Sequence, residues 1–481
     1  MALYQHLASL LLLIRLVASL AVDTSNATYW FAQPVDHFGN TSSGLAQWQQ
    51  QYMINATYYQ PGGPVFLITP GETPLTRYYA DTTHLNTLAQ SLHALVVAIE
   101  HRFYGDSNPT LDLSAASLQY LTIPNVLADF ASFTRSVKQQ PSKVFPGLAV
   151  PENSRVIFFG GSYAGNVAAW MRSEYPELID GAWASSAVVY GRLQDYQYDQ
   201  RFGAHLQSLG CGQCFAQAVS DLDQMLLSND PQELLAAQQK FGIPELSASD
   251  TAALISALVS ATANEPVSQM GDPMLPAVCA FFNTSSCIDG YAAATNAAIQ
   301  MMGLLPQQLL IMGNSSLALD YDALGQVPRV WYYQMCSWFG GWQVPPPASM
   351  HLTPYRSQLL DLDYWQGNCQ KKFGTGVAVP VDVEGYNRRW FDTLRGVSNI
   401  YYTAGELEIW RDSTVVVESS LLGDVASGSR IRLIEGANHG QDIQAESDLD
   451  LDTVKEARRV GDRLVRRWLN LRTSHGPRSC R

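Results

Sequence analysis

Short apolar runs alternate with helical patterns between residues 64 and 190, and this alternation restricts the fold more than any other feature of the chain. Residues 65–69, 95–99 and 156–159 are short and almost entirely apolar, as expected of strands buried on both faces of a parallel sheet. Residues 118–136, before the third run, and 164–174, after it, carry apolar side chains at helical spacing. The order of strand, helix and strand predicts an α/β fold built on a mostly parallel sheet.

The character of the chain changes near residue 191. From there to about residue 385 it is rich in Ala, Gln, Leu and Met, with helical patterns at residues 234–240 and 251–262. Strand-like runs return at residues 400–403 and 430–434, and an amphipathic helix follows with Val454, Ala457, Val460, Leu464 and Trp468 on one face. We therefore predict a sheet domain in two parts, residues 22–190 and 386–481, interrupted by a helical insertion at residues 191–385.

The first 21 residues resemble a secretory signal peptide. An apolar run at residues 7–21 ends in small side chains suited to cleavage, and a buried N-terminal helix is the alternative. No later run is long and apolar enough to predict a membrane anchor. Five Asn-x-Ser/Thr sequons agree with export and predict glycosylation, at Asn26, Asn40, Asn55, Asn283 and Asn314.

Six of the seven cysteines lie within the insertion, which favours disulfides in an exported protein. Their pairing cannot be deduced from the sequence, and Cys480 is the expected odd one. Cys211-x-x-Cys214 could also form half of a zinc site or a redox pair, but no second such pair exists to complete a zinc ribbon. We therefore expect no metal and no cofactor. A formal net charge of −13 argues against nucleic acid as a partner.

A serine flanked by small residues joins the third strand-like run to the following helix. The sequence Gly160-Gly161-Ser162-Tyr163-Ala164 has the strand, turn and helix context of a nucleophile elbow. The turn is tight, so its neighbours must be small. Ser162 is accordingly predicted to be a catalytic nucleophile, with a structural glycine turn as the alternative.

A serine nucleophile requires a base, and histidine suits that role best. His439 lies in a loop of small residues just after the strand-like run at 430–434, where α/β-hydrolases present their base. Three acids follow the strand at 400–403, namely Glu406, Glu408 and Asp412. The order of serine, acid and histidine is that of α/β-hydrolases, although spacing alone does not choose among the acids.

An oxyanion hole is expected beside the nucleophile. The backbone N–H of Tyr163, which follows Ser162, should supply one donor. The loop after the first strand-like run should supply the second, and Gly71 is the candidate there.

Several ordered motifs resemble the serine peptidase family of lysosomal prolyl carboxypeptidase, dipeptidyl peptidase II and thymus-specific serine protease. The similar segments are residues 31–38, 63–72, 100–109, 160–165 and 439–442. This resemblance implies an α/β-hydrolase fold with a helical cap and a serine peptidase that cleaves peptides after proline. Glu408 stands where the family carries its catalytic aspartate, with Asp412 as the reserve acid. Trp410 matches a tryptophan of the proline pocket, although plain core packing is an equal alternative.

Two other functions fit the same residues. The chain could be another α/β-hydrolase, such as an esterase, because the fold alone does not fix the reaction. It could also be a catalytically impaired binding protein, since residues 404–409 depart from the family's acid motif. Secretion or delivery to a lysosome or vacuole is expected. Exopeptidase or endopeptidase action, and assembly as a homodimer, are left open by the sequence.

Overall fold

The computed structural model describes residues 27–39, 46–264, 274–313, 326–415 and 428–470. The predicted signal peptide, the sequons at Asn26, Asn40 and Asn314, and Cys480 lie outside the described residues. Within the described part, no helix has the length and apolar character needed to cross a membrane.

Eight strands form one sheet, in the spatial order β1-β2-β4-β3-β5-β6-β9-β10. Strand β2 pairs antiparallel with both β1 and β4, and all other neighbours are parallel. This mostly parallel sheet confirms the predicted α/β architecture. The strands are β1 Thr28–Pro34, β2 Gln47–Asn55, β3 Val65–Ile68, β4 Leu95–Ile99, β5 Val156–Gly161, β6 Gly181–Ser185, β9 Ile400–Gly405 and β10 Arg430–Ile434; β7 Arg192–Gln194 and β8 Gly340–Trp342 form a separate pair.

Helices cover both faces of the sheet and build the insertion. In chain order they are α1 Arg77–Asp81, α2 His84–Leu92, α3 Ala115–Leu118, α4 Ile123–Gln139, α5 Pro141–Val144, α6 Tyr163–Glu174, α7 Tyr196–Ser208, α8 Gly212–Leu226, α9 Pro231–Phe241, α10 Ala248–Asn264, α11 Met274–Ala280, α12 Cys287–Met301, α13 Pro306–Gly313, α14 Gln326–Gln334, α15 Leu362–Phe373, α16 Val383–Tyr386 and α17 Asp452–Trp468. Short π-helical turns, Met335–Phe339 and Asn387–Phe391, follow α14 and α16.

The central strands are apolar throughout because each of their faces meets a different layer of the core. On β3, Val65 and Leu67 pack into one hydrophobic cluster, while Phe66 packs into the cluster on the opposite face. All four residues of β3 are buried. Burial on both faces explains why the continuous apolar runs predicted β3, β4 and β5.

The insertion has two parts that pack differently. Residues from α7 to α13 build a separate hydrophobic cluster that includes Phe215, Ile255 and Tyr291. Farther along, Val330 and Trp342 belong instead to the main cluster against the sheet. The second half of the insertion therefore shares the core of the sheet domain. The boundaries at residues 190/191 and 385/386 stay a prediction.

Three disulfides lie in the insertion and confirm the prediction made for its cysteines. Cys211 pairs with Cys279 and Cys214 with Cys287, which ties α8 to α11 and α12. Cys336 pairs with Cys369 between the π-helical turn after α14 and helix α15. Cys211-x-x-Cys214 is therefore neither a redox pair nor half of a zinc site, because its two thiols bond to different partners.

The two sequons among the described residues differ in their surroundings. Asn283 is exposed. The Nδ2 of Asn55 instead donates to the Ala80 carbonyl at 3.1 Å and to the side-chain oxygens of Asp81 and Asn86, both at 3.0 Å. A glycan would replace one of these donated hydrogens, so the contacts argue against glycosylation at Asn55.

A buried ion pair joins two of the family-like motifs. Arg102 donates from Nε and Nη2 to the two carboxylate oxygens of Asp129 at 2.6 and 2.8 Å. His37 Nε2 lies 2.7 Å from Asp129 Oδ1. Arg102 and Asp129 are each 1% exposed, so Asp129 holds the segments around His37 and Arg102 together.

Asp129→Asn should lower the free energy of unfolding by about 3 kcal/mol, because it leaves the buried Arg102 cation without its anion. Urea denaturation with the disulfides intact measures this effect. Glu456→Gln, which removes a carboxylate from an exposed ion pair with Arg459, is the control and should leave the midpoint unchanged. Equal midpoints for Asp129→Asn and wild type would contradict the role given to the buried pair.

Candidate active site

Ser162 occupies the turn between the end of β5 and the start of α6. Its backbone has φ 56° and ψ −130°, a conformation that is uncommon for a residue other than glycine. The Ser162 N–H donates to the Ser185 carbonyl of the adjacent strand at 2.9 Å, which helps to fix this strained turn. The predicted elbow geometry is therefore present.

Small residues around Ser162 are required by close backbone contacts. A Cβ at Gly160 would overlap the Ala164 carbonyl one helical turn away. A Cβ at Gly165 would lie 2.8 Å from the Ser185 carbonyl oxygen. These contacts explain the pattern of small residues that predicted the turn.

His439 lies in the loop between β10 and α17 and contacts Glu408. Its Nδ1 is 3.0 Å from Glu408 Oε2. The Glu408 side chain is fully buried, while that of His439 is 17% exposed. The loop is held by the Gly440 N–H, which donates to Ser186 Oγ at 2.8 Å. A cavity of about 530 Å³ is lined by both Ser162 and His439, together with Trp410.

The two competing acids are engaged elsewhere. Glu406 Oε2 accepts a hydrogen bond from the Gly436 N–H at 2.9 Å. Asp412 accepts two from Arg201, at 2.6 and 2.8 Å. Of the three acids that follow β9, Glu408 is thus the one in contact with the imidazole, and the reserve acid Asp412 faces a guanidinium instead.

Glu408 and burial act in opposite directions on the pKa of His439. Burial tends to lower the pKa, but the hydrogen bond and negative charge of Glu408 outweigh it, with Glu72 and Asp442 adding to the increase. The pKa of His439 is therefore raised above its usual value of 6.5. Burial also raises the pKa of Glu72, another residue lining the cavity, to about 7, although the nearby His439 acts to lower it.

The predicted oxyanion donors differ in their placement. Tyr163 begins α6 and lines the cavity, and the first N–H groups of a helix have no acceptor within the helix. Gly71 adopts φ +71° against Ala164, and its N–H donates to Thr69 Oγ1 at 3.3 Å. The part of the 69–73 loop that lines the cavity is Glu72 and Thr73 rather than Gly71.

His101, in the motif at residues 100–109, contacts the residue next to the nucleophile, a role that the sequence did not reveal. His101 is fully buried, and burial lowers its pKa to about 4, so the ring is neutral. Its Nδ1 donates to the Arg102 carbonyl at 2.7 Å, which leaves Nε2 to accept from the Tyr163 hydroxyl at 2.8 Å. His101 thereby fixes the side chain next to Ser162.

One wall of the cavity is apolar. Trp410 lies in it, with its ring centroid 4.6 Å from that of Tyr198 in an edge-on contact. The other large apolar residues lining the cavity are Val188, Trp331, Met335 and Phe339. Trp410 is therefore partly packed against the insertion and partly presented to the cavity.

Comparison with known proteins gives a family match over most of the chain. The family model described as Serine carboxypeptidase S28 matches residues 33–460. The serine protease vicPa of Bipolaris victoriae is 28% identical, over 95% of this chain and 91% of its own. A probable extracellular serine carboxypeptidase of Arthroderma benhamiae is 24% identical, over 91% of this chain and 67% of its own. The prolyl carboxy peptidase like protein 5 of Caenorhabditis elegans is also 24% identical, over 91% and 88%.

The family match covers both parts of the sheet domain and the insertion between them, and it includes the strand that leads to Ser162 and the loop that carries His439. The chain therefore belongs to the serine carboxypeptidase S28 family of serine peptidases.

Proposed function

We propose that the protein hydrolyses peptide bonds on the C-terminal side of proline through a triad of Ser162, His439 and Glu408. The observation that carries this proposal is the 3.0 Å contact between His439 Nδ1 and the fully buried Glu408 carboxylate, in the cavity that Ser162 also lines. Membership of a serine peptidase family supports the reaction class.

In the proposed reaction, Ser162 Oγ attacks the carbonyl carbon of the scissile peptide bond while His439 Nε2 takes the hydroxyl proton. The Tyr163 N–H donates to the oxyanion that develops. Glu408 accepts a hydrogen bond from the Nδ1–H of His439, and its negative charge stabilises the imidazolium. His439 then gives its proton to the leaving amine, and a water molecule, activated by the same imidazole, releases the acyl group from Ser162.

The substitution of glutamate for the family's aspartate is compatible with this mechanism. Although the side chain is longer by one methylene, Glu408 Oε2 lies within hydrogen-bonding distance of the imidazole. This contact favours an active enzyme over the catalytically impaired binding protein that the altered 404–409 segment suggested. Comparison of peptide and ester substrates distinguishes a peptidase from an esterase.

The apolar wall suits a proline ring. Proline has no N–H to satisfy and a fixed ring, so its pocket requires shape and apolar contact rather than hydrogen bonds. We propose that Trp410 and Phe339, both lining the cavity, enclose this ring.

Matched peptides that differ only in proline or alanine before the scissile bond test the specificity. We expect cleavage after proline with a kcat/KM at least about 10-fold above that for alanine. Simple acyl esters serve as the alternative substrates. Efficient ester hydrolysis without cleavage of either peptide would support an esterase instead.

Trp410→Ala should reduce this preference. Loss of the ring removes apolar contact with the substrate proline, so kcat/KM for the proline peptide should fall by about 10- to 100-fold. The alanine peptide is the internal control and should change by less than about threefold, since it fills little of the pocket. Parallel losses for both peptides would show that Trp410 is only a packing residue.

Activity should be lost as the pH falls through the pKa of His439. The base must be neutral to accept the serine proton, and its pKa is raised above 6.5. The acidic limb of kcat/KM, measured with an uncharged substrate, should therefore have its midpoint above 6.5. Glu72→Gln, which removes one charge that raises this pKa, should keep the limb and move it to lower pH. If the acidic limb is absent in Glu72→Gln, the limb reports the titration of Glu72 rather than that of His439.

We also propose that the protein is exported. The three disulfides support an oxidising compartment, and one relative is named as extracellular. Delivery to a lysosome or vacuole would be compatible with the same chemistry.

A further inference from the structure

The end of strand β6 lies between the strands that lead to Ser162 and Glu408. In the sheet, β6 has β5 on one side and β9 on the other. Ser185 is the last residue of β6, and Ser186 follows it. Both serines are fully buried, neither lines the cavity, and the proposed reaction uses neither side chain.

Backbone groups of these two serines bind the neighbouring segments of the proposed triad. The Ser185 carbonyl accepts the Ser162 N–H at 2.9 Å, and the Ser186 N–H donates to the Thr403 carbonyl of β9 at 2.7 Å. Ser186 has a positive φ of 47°, which is unfavourable for a residue other than glycine. A strained residue of this kind persists only where its surroundings hold it, and such residues cluster at functional sites.

The side chain of Ser186 holds the loop that carries His439. Its Oγ accepts a hydrogen bond from the Gly440 N–H at 2.8 Å. Because Gly440 directly follows His439, this bond fixes the backbone beside the imidazole relative to the end of β6.

Asp442 holds the same loop at a second point. Its carboxylate accepts a hydrogen bond from Ser185 Oγ on one oxygen. The other oxygen accepts from Thr403 Oγ1 at 2.7 Å and from Trp183 Nε1 at 2.8 Å. Asp442 is 1% exposed, so the loop is attached to β6 and β9 through a buried acid that contacts no reacting group.

We propose that Ser186 and Asp442 are positioning residues, which hold the 439–442 loop against the end of β6 and thereby direct the imidazole toward the nucleophile. The inference rests on the proposed triad and adds the residues that align it. The contact with Glu408 fixes only the Nδ1 edge of His439, whereas the base is Nε2 on the opposite edge. A shift of about 1 Å between reacting groups can lower a rate about 100-fold, so the place of the loop decides whether Nε2 reaches the Ser162 hydroxyl.

Ser186→Ala and Ser186→Gly test the hydroxyl separately from the backbone conformation. Both variants remove the acceptor of the Gly440 N–H, while glycine also removes the cost of the positive φ. Each should lower kcat for a proline peptide by about 10- to 100-fold and leave KM within about threefold of wild type, since Ser186 does not line the cavity. The rate at which a fluorophosphonate labels Ser162 should fall by a similar factor. Wild-type kcat in Ser186→Gly would show that only the backbone conformation matters and would overturn the role of the hydroxyl.

Asp442→Ala and Asp442→Asn test the second attachment point. The alanine variant should lower kcat by about 10- to 100-fold without a matching change in KM. The asparagine variant should restore most of this loss, because it keeps one oxygen for Trp183 and Thr403 and its NH₂ group can donate to Ser185 Oγ. Equal losses in the two variants would overturn the role of these hydrogen bonds. If Asp442→Ala fails to fold, the two Ser186 variants still decide.

Ser357→Ala is the matched control for loss of a buried serine hydroxyl. Ser357 Oγ donates to the Asp223 carboxylate and accepts the Leu359 N–H at 3.2 Å, in the insertion and away from the cavity lining. This variant should lower the melting temperature, as Ser186→Ala does, but leave kcat unchanged. A loss of kcat as large as that of Ser186→Ala would show that general destabilisation accounts for the effect and would overturn the inference.

The outcomes separate this inference from the proposed function. Wild-type kcat and labelling rate in a folded Ser186→Ala overturn the positioning role and leave the triad intact. Wild-type protein that neither cleaves the peptide nor takes the label at Ser162 overturns the proposed function together with this inference.

Discussion

Ser162→Ala should lower kcat for proline peptides by at least about 10⁴-fold. The variant removes the oxygen that attacks the carbonyl, so the acyl intermediate cannot form. The remaining hydrolysis would depend on the Tyr163 N–H and on substrate binding alone. Alanine tolerates the φ of 56° at this position no worse than serine does, so the melting temperature should not change.

Ser154→Ala provides the comparison. Ser154 is half-buried outside the cavity lining and its hydroxyl donates locally, to the Pro151 carbonyl, so its removal should leave kcat unchanged. Steady-state assays with protein of matched melting temperature measure both variants. More than a few per cent of wild-type activity in Ser162→Ala would identify a different nucleophile.

Glu408→Gln should lower kcat by about 10³- to 10⁴-fold. The amide removes the negative charge that stabilises the imidazolium, and its NH₂ group would favour the wrong tautomer of His439. The charge also raises the pKa of His439. The acidic limb of the residual activity should therefore move to lower pH.

The same turn offers isosteric controls for this variant. Asp412→Asn weakens the pair with Arg201, and Glu406→Gln weakens the bond to the Gly436 N–H, but neither acid contacts His439. Both variants should keep kcat within about threefold of wild type. A larger loss of kcat in Asp412→Asn than in Glu408→Gln would show that Asp412, rather than Glu408, is the acid of the triad.

Local sequence patterns were sufficient to predict the elements whose residues all share one kind of environment. The strands β3, β4 and β5 are buried on both faces, so their side chains are apolar at every position. The turn at Ser162 is defined by close backbone contacts at Gly160 and Gly165, and these contacts require small residues that the sequence shows. Strand β1 alternates between partly buried and exposed positions, and β6 consists mainly of small residues, so neither was predicted.

Choices that depend on side-chain direction could not be read from the sequence. Glu406, Glu408 and Asp412 follow the same strand, and only their orientation separates the acid facing His439 from the two that face other partners. Its place in the loop predicts Gly71 as an oxyanion donor, yet Glu72 and Thr73 are the loop residues that line the cavity. The support that His101 gives to Tyr163 spans 62 residues and leaves no local pattern.

The attachment site of a fluorophosphonate, identified by mass spectrometry of the digested protein, tests the catalytic centre most directly. We expect one adduct per chain, on Ser162, formed at least about 10³-fold more slowly in His439→Ala. An adduct on another residue, or an unmodified Ser162 after prolonged incubation with folded protein, would contradict it.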